Sequence, residues 1–149
     1  MGDAGAERTD GPIVFPDDGG CFGCSASSPH GLHMRFRRRG DAVVAEHTVR
    51  AEFHGAPAVA HGGIVAVMLD EMSCVAAYAL GGTRVVTGEL SVRYRQPCPV
   101  EVPLALSARL LPGQHPRYLV IEAEVRRGDE VLAQSTGKFF PVADGPIAP

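Results

Sequence analysis

A single long apolar segment dominates the pattern of hydrophobic and polar positions along this chain. Residues 62–80 contain no proline and, after Gly62 and Gly63, no glycine, and their charged members are Asp70 and Glu71. A segment that is apolar on nearly every side predicts a helix enclosed by other elements. The glycine pair that follows residue 80 predicts the end of this helix.

Segments with strand-like composition lie on both sides of the helix. Residues 32–38 and 42–49 flank Arg39-Gly40-Asp41 and predict a hairpin, and residues 52–60 predict a loop. Four further strands are predicted after the helix, over residues 84–96, 102–111, 117–127 and 131–142. This order predicts an α+β fold in which an antiparallel sheet lies against one long helix.

The first strand after the helix combines apolar and polar positions. Alternation with a period of two places its apolar members on one face, which are Val86, Leu90, Val92 and Tyr94. The same alternation places polar members on the opposite face, which are Thr87, Glu89, Ser91 and Arg93. Thr87 is therefore predicted to lie opposite the apolar face of this strand.

Length and composition favour one domain with short tails. The chain has 149 residues, of which 45% are hydrophobic, and a net charge of −3. We expect a domain over residues 21–142, a flexible tail over residues 1–20 and another tail over residues 143–149. Dispersed arginines argue against a nucleic-acid partner. Because residues 1–20 lack a secretory signal and no apolar run approaches membrane-spanning length, we expect a cytoplasmic protein without a membrane partner.

Two cysteines near the N-terminus allow two interpretations. Cys21 and Cys24 form a C-x-x-C motif, and His30 and His33 extend it to C-x2-C-x5-H-x2-H. This pattern offers zinc ligands, but its spacing is short for a zinc finger, and a domain of this size does not need a metal to form a core. We therefore expect a structural turn with reduced thiols, and neither a metal nor a cofactor.

The order of elements and one motif resemble a known fold and family. His61-Gly62-Gly63, followed by Asp70, resembles the acyl-CoA thioesterases of the phenylacetate-pathway type, which have the hotdog fold. The resemblance covers residues 21–142, and its other motifs are Cys21-Phe22-Gly23-Cys24, Gly31-Leu32, Val86-Thr87-Gly88-Glu89-Leu90, Tyr94-Arg95-Gln96-Pro97 and Gly137-Lys138-Phe139. It implies an antiparallel sheet wrapped around one central helix, hydrolysis of acyl-CoA or acyl-carrier thioesters, and a homodimer or a dimer of dimers.

Two features of the helix suit thioester chemistry. The backbone N–H groups of Gly62 and Gly63 lack partners within a helix, and no side chain shields them, so they suit an oxyanion. The carboxylate of Asp70 lies on a face of small residues, which leaves space for a substrate or a water. The resemblance assigns the Gly62 N–H to the thioester carbonyl. It assigns Asp70 either to activating water or to attacking the carbonyl carbon.

Three further residues are candidates around this pair. The resemblance implies that Thr87 binds the Asp70 carboxylate or the attacking water, since a hydroxyl both donates and accepts. His61 is a candidate for orienting the loop or the substrate carbonyl. His54 lies where related loops often present an amide side chain, and we include it among the substrate contacts.

Charged residues complete the set of candidate substrate contacts. Glu71 is rotated about 100° from Asp70 around the helix, which predicts an exposed or subunit-pairing charge. Arg93 is a candidate for the phosphates of CoA, which guanidinium groups bind well. The other basic candidates, which the sequence does not rank, are Arg35, Arg37, Arg38, Arg39, Arg95, Arg117, Arg126 and Arg127.

Helix geometry separates the two central groups of the predicted site. Gly62 and Asp70 are eight residues apart, which places their backbones about 12 Å apart along the axis. One helix therefore cannot bring both to the same carbonyl carbon, and we expect a dimer with two equivalent sites shared between subunits. Two other functions stay open, a hotdog dehydratase or hydratase that pairs His54 with Asp70 and a non-catalytic acyl-CoA-binding module.

Overall fold

A seven-stranded sheet and one long helix make up the fold in the computed structural model, which describes residues 10–16 and 19–143. The elements in chain order are β1 (Gly11–Ile13), β2 (Phe36–Arg39), β3 (Ala42–Thr48), a short 3-10 turn (Ala51–Phe53), α1 (Gly62–Gly81), β4 (Val85–Tyr94), β5 (Pro103–Leu110), β6 (Leu119–Arg127) and β7 (Glu130–Pro141). The helix and the last four strands lie within two residues of their predicted bounds. The strand predicted from residue 32 begins only at Phe36.

The sheet is antiparallel throughout, with the strand order β1-β2-β3-β5-β6-β7-β4. The helix α1 packs against the inner face of this sheet and contacts β5, β6, β3, β4 and β7. The predicted α+β architecture, with an antiparallel sheet against one central helix, is therefore confirmed. Because β1 and β4 end the strand order, one edge of β4 pairs with no other strand in the described part of the chain.

The buried side of α1 explains its apolar sequence. Val65, Met68, Leu69 and Met72 are almost completely buried, at the spacing that forms one helical face. By length and composition the helix would also suit a membrane span, with a mean hydropathy of 1.6. The expectation that no apolar run reaches that length is therefore wrong. Packing against the sheet accounts for much of this apolar surface.

The ordered domain extends further toward the N-terminus than the sequence predicts. Residues 11–13 form β1, which pairs with β2, and the ring of Phe15 packs edge-on against Tyr78 at 5.4 Å between centroids. The expectation of a flexible tail over residues 1–20 is therefore wrong for this part, because Ile13 and Phe15 pack against the core. Residues 1–9, 17–18 and 144–149 of the predicted tails lie outside the described residues.

A bulge in β4 reverses the predicted direction of Thr87. Thr87 pairs with the buried Phe139, whereas Glu89 pairs with Lys138, so Gly88 is an additional residue between the two pairs. An additional residue shifts the alternation of side chains along a strand. Thr87 consequently faces the helix, whereas Glu89 forms an outer-face ion pair with Lys138 at 3.4 Å. The prediction that Thr87 shares the face of Glu89 is wrong.

Candidate active site

The Asp70 carboxylate is held by Thr87, as the resemblance implied. The Thr87 hydroxyl donates a hydrogen bond of 2.6 Å to Asp70 Oδ1, and the carboxylate is half-buried in the middle of α1. No other described residue hydrogen-bonds to this carboxylate. Its second oxygen, Oδ2, therefore has free acceptor positions for a water or a substrate proton.

A cysteine that the sequence analysis did not select lies beside this pair. Cys74 Sγ lies 3.8 Å from Thr87 Oγ1. Burial, and secondarily the negative charge of Asp70, raises the pKa of Cys74 to about 12. Since the thiolate is the nucleophilic form of cysteine, this neutral thiol does not compete with Asp70. Its position one helical turn after Asp70 was the available sequence signal.

The start of α1 presents one free amide rather than two. His61 caps the helix, and its Nδ1 accepts a hydrogen bond of 2.9 Å from the Gly63 N–H. The expectation that Gly63 also offers its amide to a ligand is therefore wrong, because the cap already occupies it. In the described part of the chain the Gly62 N–H has no acceptor. Since His61 Nδ1 is an acceptor, its neutral ring carries the proton on Nε2.

Tyr94 is a second contact that the sequence analysis did not select. Its hydroxyl donates a hydrogen bond of 2.7 Å to the Gly62 carbonyl. A cleft of about 420 Å³ opens beside this contact, and its lining includes Gly55, Val59, Gly62, Val65, Tyr94 and Pro97. The free Gly62 amide thus lies next to a cavity large enough for part of a ligand. Tyr94 belongs to the motif Tyr94-Arg95-Gln96-Pro97, but its hydrogen bond depends on how β4 crosses the helix.

Two further candidates, His54 and Arg93, do not contact Asp70 or Thr87 of their own chain. The ring of His54 contacts the Ala51 carbonyl at 2.9 Å, and its backbone pairs with Ala60 just before the helix. His54 therefore belongs to the half of the site that contains Gly62. Arg93 is exposed and lies between two β4 residues that face the helix, so it lies on the outer face of the sheet. The fold does not bring Arg93 to the Asp70 of its own chain.

Glu71 is not the exposed charge that its place on the helix predicted. Cys21 Sγ donates a hydrogen bond of 3.1 Å to Glu71 Oε1, and Glu71 Oε2 is buried without a hydrogen-bond partner in the described chain. Burial is the largest cause that raises the pKa of Glu71, while hydrogen bonds from Cys21 and Cys24 oppose it. The prediction of an exposed charge is wrong because residues 21–24 fold over this side of α1.

The four-residue cysteine and histidine pattern is not assembled as a unit. The ring of His33 contacts the Ser28 carbonyl, and His30 is exposed. The two cysteines instead lie beside the Glu71 carboxylate, with their ligand atoms within 4.8 Å of one another. The partner of the C-x-x-C motif is thus a helix residue about fifty positions away.

The hydrogen bond from Thr87 gives a direct test of this geometry. Thr87→Val keeps the shape of the side chain but removes the hydroxyl, so kcat should fall about tenfold, as for loss of a hydrogen bond to a charged group. Thr87→Ser keeps the hydroxyl and should retain most of kcat. Steady-state kinetics with KM measured separately would show the difference. Equal kcat values for the two variants, with only the melting temperature changed, would assign Thr87 to stability alone.

Comparison with known sequences identifies the family. A sequence profile of the thioesterase superfamily matches residues 58–134, which is more than half of the chain. The match includes the helix start at Gly62 and both members of the Asp70–Thr87 pair. No curated protein matches the chain.

Solved structures with the same fold include proteins of this superfamily. One thioesterase superfamily protein is 28% identical with a TM-score of 0.68, and the match covers 76% of this chain but only 55% of that one. The PaaI protein of the Escherichia coli phenylacetic acid degradation operon is 19% identical with a TM-score of 0.65, covering 73% of this chain and 83% of that one. A Streptococcus mutans protein bound to acetyl-CoA is 19% identical with a TM-score of 0.62, and the match covers 68% of this chain and 82% of that one. The chain belongs to the thioesterase superfamily and has its hotdog fold.

Proposed function

We propose that this protein hydrolyses acyl-CoA or acyl-carrier thioesters to the free acid and the thiol. The observation that carries the proposal is the Asp70 carboxylate, which Thr87 holds at 2.6 Å while one carboxylate oxygen stays free. Membership of the thioesterase superfamily supports the reaction class, and the acetyl-CoA bound to the Streptococcus mutans protein of the same fold supports the CoA thioester. The four unpaired cysteines agree with a reducing compartment such as the cytoplasm.

Gly62 and Asp70 have different roles in the proposed reaction. The Gly62 N–H, at the positive end of the helix dipole, stabilises the oxyanion that forms on the thioester carbonyl oxygen. Asp70 either takes a proton from a water that attacks the carbonyl carbon or attacks that carbon itself. In the first route the carbon–sulfur bond breaks and the thiolate takes up the proton that Asp70 accepted. In the second route the thiolate leaves an acyl–Asp70 anhydride, and a water hydrolyses this anhydride, which releases the acid, restores the carboxylate and supplies the proton of the thiol. Both routes consume one water and release the same acid and thiol.

The free edge of β4 favours a site shared between two subunits. An edge strand of ten residues presents unpaired backbone groups that can join a second sheet. Thr87, near one end of β4, contacts Asp70, and Tyr94, at the other end, contacts Gly62. Antiparallel pairing of β4 with its copy places these two ends next to each other. Each Asp70 would then approach the helix start of the other subunit, which removes the separation of about 12 Å.

Charge and side-chain direction select a register for this pairing. If the two-fold axis passes through Ser91, Leu90 lies opposite Val92 of the partner subunit, and both residues are on the helix side. Glu89 then lies opposite Arg93 of the partner subunit on the outer face, which forms two pairs of opposite charge per dimer. The bulge at Thr87 and Gly88 falls opposite the partner's Tyr94. This register gives Arg93 a role in subunit pairing rather than in binding phosphate.

Charge reversal tests the register. Arg93→Glu places two like-charge pairs in the interface and should weaken the dimer about tenfold, since each opposite pair contributes up to about 1 kcal/mol. Adding Glu89→Arg in the same chain restores opposite charges and should recover most of the affinity. Sedimentation over a range of protein concentrations would measure both. If the single and the double variant dissociate equally, the two-fold axis does not pass through Ser91.

A thiol-release assay across acyl-CoA substrates of graded chain length and aromaticity tests the function. Hydrolysis gives one free thiol and one free acid per substrate consumed. Formation of an enoyl thioester from a hydroxyacyl substrate, without free thiol, would instead show the dehydratase that pairs His54 with Asp70. Binding of the same substrates without any product would show a non-catalytic acyl-CoA-binding module. Either of these two results overturns the proposal.

A further inference from the structure

A cluster of three metal-binding side chains lies on the side of α1 next to Asp70. Cys21, Cys24 and Glu71 are all half-buried, and their ligand atoms lie within 4.8 Å of one another. Tetrahedral zinc holds sulfur at about 2.3 Å and carboxylate oxygen at about 2.0–2.2 Å, which separates neighbouring ligand atoms by roughly 3.5–3.8 Å. The distance of 3.1 Å from Cys21 Sγ to Glu71 Oε1 is close to that range. Small side-chain movements would therefore fit one ion among the three residues.

One oxygen of the Glu71 side chain lacks a hydrogen-bond partner among the described residues. This atom, Oε2, is also inaccessible to solvent. A buried polar atom of this kind costs free energy unless it is hydrogen-bonded or coordinates a cation. No lysine, arginine or histidine forms an ion pair with Glu71 in the described chain. A divalent cation would supply the missing positive charge.

The backbone fixes the C-x-x-C turn against Glu71. The Ser25 N–H donates to the Cys21 carbonyl at 3.0 Å, which closes the turn. Two further backbone hydrogen bonds, of 2.7 and 2.9 Å, tie the Phe22 and Gly23 carbonyls to residues 32 and 34. A Cβ atom at Gly23 would clash with the Cγ atom of Glu71, so any other residue would displace that side chain. The hydrogen bonds of the turn and the close packing of Gly23 against Glu71 therefore keep the three ligand groups together.

We propose that Cys21, Cys24 and Glu71 bind one thiophilic divalent cation of the zinc type, with water as the fourth ligand. This differs from the metal-free turn expected from the sequence, and it replaces the two histidines of the sequence pattern with one helix carboxylate. Binding releases the two thiol protons, so affinity increases with pH. The ion would fasten the segment that contains the turn to α1, beside the helix turn that carries Asp70.

Titration of the reduced, metal-free, full-length protein with Co²⁺ tests the site. We expect one Co²⁺ per chain, thiolate-to-cobalt charge-transfer absorption, the visible bands of tetrahedral cobalt, and displacement of the signal by Zn²⁺. Zinc should also raise the melting temperature, because it binds the folded state. Neither readout depends on enzymatic activity, so failure here is distinct from failure of the proposed hydrolysis.

Matched variants identify the ligands. Cys24→Ser should abolish the charge-transfer signal of the site, and Glu71→Gln should weaken Co²⁺ binding at least tenfold while circular dichroism shows that the chain is folded. The double variant His30→Gln, His33→Gln should bind as the wild type does. Absence of stoichiometric binding by fully reduced wild-type protein would overturn the proposal. Loss of binding in the histidine variant, with Glu71→Gln unaffected, would overturn it equally.

Discussion

Asp70→Asn should lower kcat for thioester hydrolysis at least about 100-fold, the lower range for loss of a positioned base. The substitution removes both the basicity and the nucleophilicity of the carboxylate but keeps its size, and Thr87 can still donate to the remaining Oδ1 position. Thiol release under saturating substrate is the measurement. Sedimentation and thermal unfolding would show that the variant is folded and has kept its assembly.

Asp129→Asn is the matched control for this experiment. It makes the same chemical change in the exposed turn between β6 and β7, at a residue that does not hydrogen-bond to Asp70 or Thr87. Its kcat should stay close to that of the wild type. If Asp70→Asn instead retains the wild-type kcat, Asp70 has no part in the reaction. The hydrogen bond from Thr87 would then serve only to satisfy a half-buried carboxylate.

Mixed dimers should recover about half of the wild-type activity when one subunit carries Gly62→Pro and the other Asp70→Asn. Each variant alone should be nearly inactive, because the first lacks the donor N–H and the second lacks the carboxylate. In the mixed dimer one shared site combines the intact Gly62 amide with the intact Asp70, and the other site carries both changes. Purification with two different affinity tags, followed by thiol-release assays, would measure this recovery.

The local geometry indicates that proline is tolerated at position 62. Proline is favourable in the first helical turn, and His61 already has the extended conformation, with ψ of 137°, that a residue before proline requires. A Cβ atom at this position would contact the Tyr94 ring at an ordinary 3.6 Å. Gly62→Ala, which keeps the N–H, is the control and should stay active. Folded mixed dimers as inactive as both parents would refute the shared site.

The sequence by itself determined the central helix and the positions of the two central candidate groups along it. A run of apolar residues with glycines at both ends permits few alternatives to a buried helix, and the bounds of α1 agree with the prediction to within one residue. The positions of Gly62 and Asp70 on that helix follow from helical geometry alone. Their separation along the axis, and hence the expectation of a shared site, needed no tertiary information.

Only the tertiary structure decided the directions of side chains that depend on a second element. Thr87 reaches Asp70 because the bulge at Gly88 shifts the alternation of β4, and a bulge is created by the register with β7, which local periodicity does not contain. The amide of Gly63 is occupied because the ring of His61 turns back onto the helix start. In both cases the contact depends on a side-chain rotamer or on the register between two strands, and the type of residue alone does not predict either.

The environment of Glu71 likewise depends on a contact that local sequence patterns do not predict, and here the contacting residues are far apart in the sequence. Helical position alone placed it away from Asp70 and predicted exposure, but the turn at Cys21 and Cys24 covers it. These cysteines lie about fifty residues before Glu71, so no local pattern connects them. Periodicity reports which face of an element is apolar, whereas contacts between distant segments depend on how the whole chain packs. The sequence therefore determined the central helix and most of the strands, and tertiary packing determined which of their side chains meet.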